Sequence, residues 1–376
     1  MLPQRLAVRA AVLDEPGQPL VIRTVYLDAP LPNEVLVRTT AVGLCHSDLH
    51  YMRGSLPIST PAVLGHEVAG VVERVGRDVT RFHVGDQVVA TVTPSCGACA
   101  SCVSGHPTRC ERVAEIRKRT RPKIVDECGR ILSTLGGMGA FADALVLPEA
   151  SLAKVGDEIP ARVACLLGCC VSTGFGAVMH ATGIRPADTV AIIGCGGVGM
   201  AVVQAARLAG ARRIIAIDIH AEKLKRALTF GATHILTSNA NTLEALLAIC
   251  PGGVTHSFEA VGHPKTAELA ISALAPGGTA TLLGLMPAGS RIEIDPKALI
   301  EGDRKIQGAY MGANKFLADV VTFTDDYANG RIDLDQMVTS EVTLDTINEG
   351  FEKMRDPSAI RTVITFEKTP ARKESL

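Results

Sequence analysis

No stretch of this chain is long and apolar enough to read as a membrane span. The longest weakly polar run, Val163 to Met179, holds three glycines with Ser172 and Thr173 and is too short and too broken for one. The start, MLPQRLAVRAAVLDE, has no long apolar core and no cleavage site, which argues against a secretory signal. Neither sign of charge is in excess. The net charge of −1 gives no bulk electrostatic case for nucleic acid as a partner. Tryptophan is absent and aromatic residues make up only 3%, whereas 36 glycines point to tight turns and close backbone approach. What the chain does have is cysteine. Eleven of them without an export signal suit a reducing compartment, and the expected location is the cytoplasm. There, clustered cysteines are metal ligands more often than disulfides.

At 376 residues the chain is long enough for two domains with full cores. Residues 7–90 read as short, closely spaced strands, as in a β-rich barrel. Residues 91–145 are loop-rich. From about Thr189 the segments TVAIIG, RIIAID, THILT, THSFEAV and TATLLG read as buried strands. Helical stretches over 198–208, 221–230, 242–249 and 264–274 separate them. That alternation predicts a parallel sheet with right-handed crossovers. After about Ala313 the pattern is mixed and ends in a strand-like RTVITF, followed by a polar tail expected to fray. A basic cluster of Arg117, Lys118, Arg119, Arg121 and Lys123 reads first as a solvated loop. Its second reading is a device that steers an anionic substrate towards a nearby cleft.

Gly194, Gly196 and Gly199 fit G-x-G-x-x-G within Gly194-Cys195-Gly196-Gly197-Val198-Gly199. The pattern alone is weak. Here it follows a strand, opens a helix and precedes an acid, Asp218, at the end of the next strand. Glycines let the backbone reach a pyrophosphate, and the helix N-terminus supplies free N–H groups. Asp218 suits the two ribose hydroxyls of NAD and repels the 2′-phosphate of NADP. Lys223 reads equally as a ribose contact or as a solvated helix lysine.

Cys96, Cys99, Cys102 and Cys110 stand at intervals of three, three and eight. Four thiolates so spaced can converge on a tetrahedral zinc with no open position, a structural site. An iron–sulfur run would place its fourth cysteine four residues on and follow it with proline, which this stretch does not do.

Three further segments complete the pattern: GLCHSDLH from Gly43, GHEVAGVVERVG from Gly65, and LGCCVSTGFG from Leu167. With them the chain resembles the zinc-dependent, medium-chain alcohol dehydrogenases, in the same order over residues 7–366. The resemblance implies an α/β fold, with a doubly wound Rossmann sheet joined to a β-rich, GroES-like barrel. The catalytic domain would comprise residues 1–170 and 314–376, with a structural zinc lobe near 94–112. The NAD-binding domain would be residues 171–313.

It also implies a catalytic zinc on Cys45, His66 and Cys169, with a fourth position left for water or a substrate oxygen. Cys170 is then a packed thiol. Ser47 would sit next to the reacting oxygen, and His50 would be the outer end of a proton relay. Asp48 would orient His66, and Glu67 would approach the metal from behind. His46 and Arg361 match pyrophosphate contacts, joining Gly194, Gly196, Gly197, Val198 and Gly199. Thr173 would lie beside the nicotinamide. Pocket residues are guessed as Leu56, Val92, Phe141 and Leu285.

The implied activity is reversible oxidation of a primary or secondary alcohol by hydride transfer to NAD, with two zinc ions per subunit. The implied partners are a small alcohol or aldehyde and a second copy paired through an edge strand near residues 305–311, with a tetramer as an alternative. A thiol-dependent formaldehyde dehydrogenase, holding an anionic cosubstrate on the basic cluster, is the rival within the fold. A non-catalytic zinc and NAD-binding relative is the rival of another class. The intact set of Cys45, His66, Cys169, Ser47 and His50 speaks against it.

Overall fold

Two kinds of sheet follow from two kinds of hydrophobic pattern. The computed structural model describes residues 5–367; residues 1–4 and the tail from Lys368, where fraying is expected, lie outside the described residues. In the middle of the chain, the near-continuous apolar strands form a six-stranded sheet. Its order is His234–Thr237, Arg213–Asp218, Thr189–Ile193, Val254–Glu259, Leu274–Leu282 and Lys305–Gly308. All its pairings are parallel. Burial on both faces explains why these strands lack alternation. In chain order the sheet runs 3-2-1-4-5-6, so the strand order reverses at Thr189–Ile193, where a doubly wound sheet opens its ligand crevice. Helices Gly197–Leu208, Ala221–Phe230, Thr242–Ile249 and Pro264–Ser272 fall where the periodicity predicts them.

Around this unit lie two further sheets. A five-stranded one contains Leu6–Leu13 and Val21–Leu27. A seven-stranded one is built on the long strand Glu34–Leu44. That strand pairs antiparallel with Glu67–Val75 on one side and with Arg361–Thr365 on the other. The C-terminal segment therefore returns to the sheet laid down near the start of the chain. Two aromatic pairs mark the two cores. Phe175 and Phe323 have ring centroids 5.1 Å apart, and Phe141 meets Phe351 edge-on at 5.9 Å.

The expected edge strand is present as Lys305–Gly308 but stops short of residue 311. There the backbone turns left-handed at Met311, Gly312 and Ala313, with φ of 50°, 66° and 53°. A Cβ on Gly312 would sit 2.0 Å from the Thr173 carbonyl, so glycine is what lets this turn close on the helix Cys170–Gly176. No single helix among the described residues is long and apolar enough to cross a membrane.

Candidate active site

Register in the seven-stranded sheet assembles the site. Gly43 pairs with Glu67 and Leu44 with Thr362, so Cys45, His66 and Arg361 emerge together from three adjacent strand ends. Gly43 carries no side chain because the Glu67 carboxylate folds over it: a Cβ there would lie 2.2 Å from Glu67 Oε2. Cys169 arrives from the turn that starts helix Cys170–Gly176. The donor atoms of Cys45, His66, Glu67 and Cys169 lie within 4.8 Å of one another, and all four residues are buried.

Asp48 ties the two ligand loops together. Fully buried, its carboxylate accepts from Cys45 N at 3.2 Å and Gly65 N at 3.0 Å. Its Oδ1 also meets His66 Nδ1 at 3.2 Å. A carboxylate on Nδ1 leaves Nε2 free to ligate a metal. Burial works against a charge on His66, but the Asp48 carboxylate and the Cys45 sulfur together raise its imidazole well above the ordinary value. The Cys169 thiol, donating to Cys45, holds Cys45 well below the usual thiol range, helped by Arg361 and His66. Cys169, as that donor and under burial, is pushed up. For both sulfurs to be thiolates beside Glu67, a cation must sit among them, and two sulfurs with an imidazole suit zinc.

Glu67 is completely buried, and burial pushes its carboxyl up to about 8 against the pull of Arg361. Arg361 Nη2 stands 3.2 Å from Glu67 Oε1 but off the hydrogen-bond direction. The same guanidinium donates to the Leu44 carbonyl at 3.1 Å and reaches the fingerprint, where a Cβ on Gly197 would lie 2.5 Å from its Nη2. One buried arginine thus joins the metal group to the glycine turn.

The second group is the cysteine lobe. Cys96, Cys99, Cys102 and Cys110 bring their sulfurs within 4.8 Å of one another. Cys96 and Cys102 sulfurs are 4.0 Å apart and those of Cys99 and Cys110 are 3.9 Å apart. Two sulfurs on one tetrahedral zinc at Zn–S of about 2.3 Å stand about 3.8 Å apart, so the lobe fits the ion closely. Backbone N–H groups of Ala98 and Cys99 point at the Cys96 sulfur, at 3.4 and 3.2 Å.

The glycine turn follows strand Thr189–Ile193 and starts helix Gly197–Leu208. Asp218 accepts from Cys195 N at 2.7 Å through one oxygen and from His220 N at 2.9 Å through the other. That pair of bonds fixes the carboxylate beside the turn.

The remaining expected residues fall into place unevenly. Ser47 Oγ is 3.7 Å from the Cys45 sulfur, and His50 is half-buried on the same short helix, His46–Met52. His46 lies exposed at the start of that helix, and Thr173 Oγ1 contacts Met311 Sδ at 3.8 Å. Cys170 is a packed thiol outside the metal group, donating to the Leu166 carbonyl at 3.7 Å.

Two expectations are corrected. Phe141 is not a pocket residue: it is fully buried behind Gly65 and against Phe351. The basic cluster is not a solvated loop. The Arg119 side chain is 7% exposed and paired with Asp28 and Glu34, while Arg121 also reaches Asp28. Those acids are distant in sequence, so local composition gives no sign of them. Tyr310 is a residue the sequence does not flag. Its phenol lies within range of the charges on Arg117, Cys169 and His66, and only the folding of the segment onto the cleft reveals it.

Comparison with known proteins returns the same two-part architecture. The family described as Alcohol dehydrogenase GroES-like domain matches residues 31–157, and Zinc-binding dehydrogenase matches residues 197–326. An S-(hydroxymethyl)glutathione dehydrogenase of Escherichia coli O1:K1 / APEC is 38% identical over 367 residues, 95% of this chain and 99% of the relative. Among solved structures, an alcohol dehydrogenase zinc-binding domain protein from Burkholderia ambifaria has a TM-score of 0.91 at 34% identity. It covers 96% of this chain and 100% of its own. A benzyl alcohol dehydrogenase from Acinetobacter calcoaceticus has a TM-score of 0.88 at 29% identity, with coverage of 96% and 100%.

Proposed function

We propose, from the premise that this chain belongs to the zinc-binding alcohol dehydrogenase family, that it oxidises a primary or secondary alcohol reversibly with NAD, using Cys45, His66 and Cys169 as ligands of the working zinc. The observation that carries the reading is the junction at Arg361, which packs the three-ligand group against the glycine turn and so sets a metal site beside a dinucleotide site. When bound, zinc supplies Lewis acidity towards the substrate oxygen and NAD supplies the hydride acceptor.

The chain's own residues do the rest. Asp48 fixes the His66 tautomer and anchors the Cys45 loop. In this reading Ser47 takes the hydroxyl proton and His50 passes it outward; burial holds His50 below its ordinary value, which suits an acceptor near pH 7. Gly194, Gly196, Gly197, Val198 and Gly199 hold the pyrophosphate at the helix start, with Arg361 behind them and His46 alongside, while Lys223 contacts the ribose. Asp218 takes the ribose hydroxyls and disfavours a 2′-phosphate. Thr173 borders the nicotinamide, and Cys96, Cys99, Cys102 and Cys110 hold the structural zinc. The domain division at residues 170 and 314, a homodimer through the exposed edge Lys305–Gly308 and a cytoplasmic location complete the proposal.

A second reading, oxidation of a hydroxymethyl-thiol adduct, is favoured by the 38%-identical relative's name. A panel of alcohols and aldehydes with NAD, run with and without a low-molecular-weight thiol, separates the two. NADH formation from simple alcohols without thiol supports the first reading. Strict thiol dependence replaces it with the second, and no NADH in either arm rejects both.

A further inference from the structure

Strand Val254–Glu259 ends in a buried carboxylate that the proposed chemistry does not use. Glu259 stands level with Ile193, the last residue before the glycine turn, and with Leu282 on its other side. Three donors converge on its Oε1: Val261 N at 2.9 Å, Gly262 N at 2.7 Å and the Thr266 hydroxyl at 2.8 Å. That one oxygen shapes the turn after the strand and ties it to the first turn of helix Pro264–Ser272. The Glu259 carbonyl accepts from Leu283 N at 2.8 Å and Gly284 N at 3.1 Å, just beyond the end of the next strand.

The two turns interlock through glycines. A Cβ on Gly284 would lie 2.1 Å from Gly262 N and 2.7 Å from Glu259 Oε2. One on Gly262, which is left-handed with φ of 84°, would lie 2.4 Å from the Leu285 carbonyl oxygen. Neither turn can shift without the other. The first turn also meets the fingerprint. Ala260 N donates to the Ile193 carbonyl at 2.8 Å, and a Cβ on Gly194 would lie 2.6 Å from Val261 Cγ2. Val261 and Leu285 still stand 49% and 45% exposed, two apolar side chains left open on these turns.

A doubly wound sheet takes one half of a dinucleotide on each side of its reversal. Asp218 ends the strand on one side of Thr189–Ile193, and Glu259 ends the strand on the other. Building on the proposed NAD binding, which gives the adenosine ribose to Asp218, we propose that Glu259 is a positioning residue for the nicotinamide half: its Oε1 holds the paired turns that wall that half of the crevice. Two buried N–H groups left without their acceptor destabilise the turn they shape. All three donors use one oxygen, so the turns need an acceptor at this reach and not a charge.

The test measures binding of NADH by its fluorescence and binding of ADP by calorimetry, both on the zinc-loaded protein. ADP carries only the adenosine and the pyrophosphate. Glu259→Gln removes the charge and keeps the acceptor, so NADH and ADP should bind as they do to wild type. Glu259→Asp keeps the charge and withdraws the acceptor by one methylene. Its NADH binding should weaken by about tenfold, or about 1.4 kcal/mol, while ADP binding holds. A role confined to stability would lower the thermal midpoint of Glu259→Asp and leave its NADH/ADP affinity ratio at the wild-type value, which overturns the proposal. An equal loss of NADH binding in Glu259→Gln and Glu259→Asp overturns it too, because the charge would then be what matters. A wild type that binds neither ligand rejects the NAD reading itself and the proposal with it. If Glu259→Asp does not fold, hydrogen exchange on the wild type decides. Slower exchange across Val261 and Gly262 with NADH but not with ADP upholds the proposal. Equal protection by both ligands, or none by either, overturns it.

Discussion

Three glycines of one turn have three different surroundings, so one added methyl group should do three different things. At Gly199 a Cβ would lie 1.8 Å from the Gly194 carbonyl oxygen, backbone against backbone, far inside the optimal separation of about 3.5 Å. The turn must open, and an overpacking cost of about 3 kcal/mol is expected for Gly199→Ala. That corresponds to a thermal midpoint lower by about 6–12 °C for a domain of this size. At Gly197 the Cβ would meet the Arg361 guanidinium at 2.5 Å. Arg361 is 3% exposed and held by Leu44 and Glu67, so it cannot swing away without leaving Glu67 buried alone. An overpacking cost of about 1–3 kcal/mol is expected for Gly197→Ala.

At Gly196 nothing lies within 4 Å, and its φ of −80° and ψ of −167° suit any residue. Gly196→Ala should cost less than about 1 kcal/mol in stability. If the space belongs to the pyrophosphate, the same change weakens NADH binding by about tenfold or more, since 1.4 kcal/mol is tenfold. Thermal melting of the zinc-loaded protein and fluorescence titration with NADH read the two effects separately. Wild-type NADH affinity in Gly196→Ala would refute the placement of the cofactor. A wild-type midpoint in Gly199→Ala would refute the close approach within the turn.

Asp218→Asn removes the charge and keeps an acceptor for only one of the Cys195 and His220 N–H groups, so the protein should lose about 1–3 kcal/mol of stability while the NAD/NADP ratio in kcat/KM falls by about tenfold or more. An unchanged ratio removes Asp218 from cofactor selection. Lys123 tests the buried side of the basic cluster. Burial pushes its ammonium down to about 8 from 10.5. Because the folded value is the lower one, keeping the charge costs stability in full below pH 8, and that cost disappears as pH rises through 10.5. The shift corresponds to about 3 kcal/mol; discounted for partial exposure and for the lost bond to Gly137, Lys123→Met should stabilise the protein by about 1–2 kcal/mol at pH 7. The gain should vanish above pH 10.5, and an equal effect at both pH values in denaturant titrations would sink the explanation.

Elements that announce themselves locally were legible in the sequence. The strands of the parallel sheet, the helices between them and the cysteine lobe all rest on spacing within a few residues, and they lie where the spacing places them. Cys45, His66 and Cys169 carry no local signal that joins them. Only a resemblance of motifs could group them in advance, and the register of Glu34–Leu44 with its two neighbours is the physical cause. What stayed hidden depends on partners far along the chain. Asp28 and Glu34 neutralise Arg119 from 91 and 85 residues away, which no reading of a basic run anticipates. Phe141 reads as a cleft residue until Phe351, from the C-terminal segment, is seen to cover it. Tyr310 depends on three left-handed residues, of which only Gly312 is a glycine.

The central claim is a division of labour between an open and a closed zinc group, and metal counting on three proteins tests it most directly. Wild type should hold two zinc ions per chain and form NADH from alcohol and NAD. Cys45→Ser should lose the activity and the open-site metal while melting near the wild type. Cys99→Ser should lose thermal stability first, because its sulfur belongs to the lobe with no open position. A single zinc in wild type with no alcohol-dependent NADH, or the same loss of activity and stability in both variants, would contradict the account.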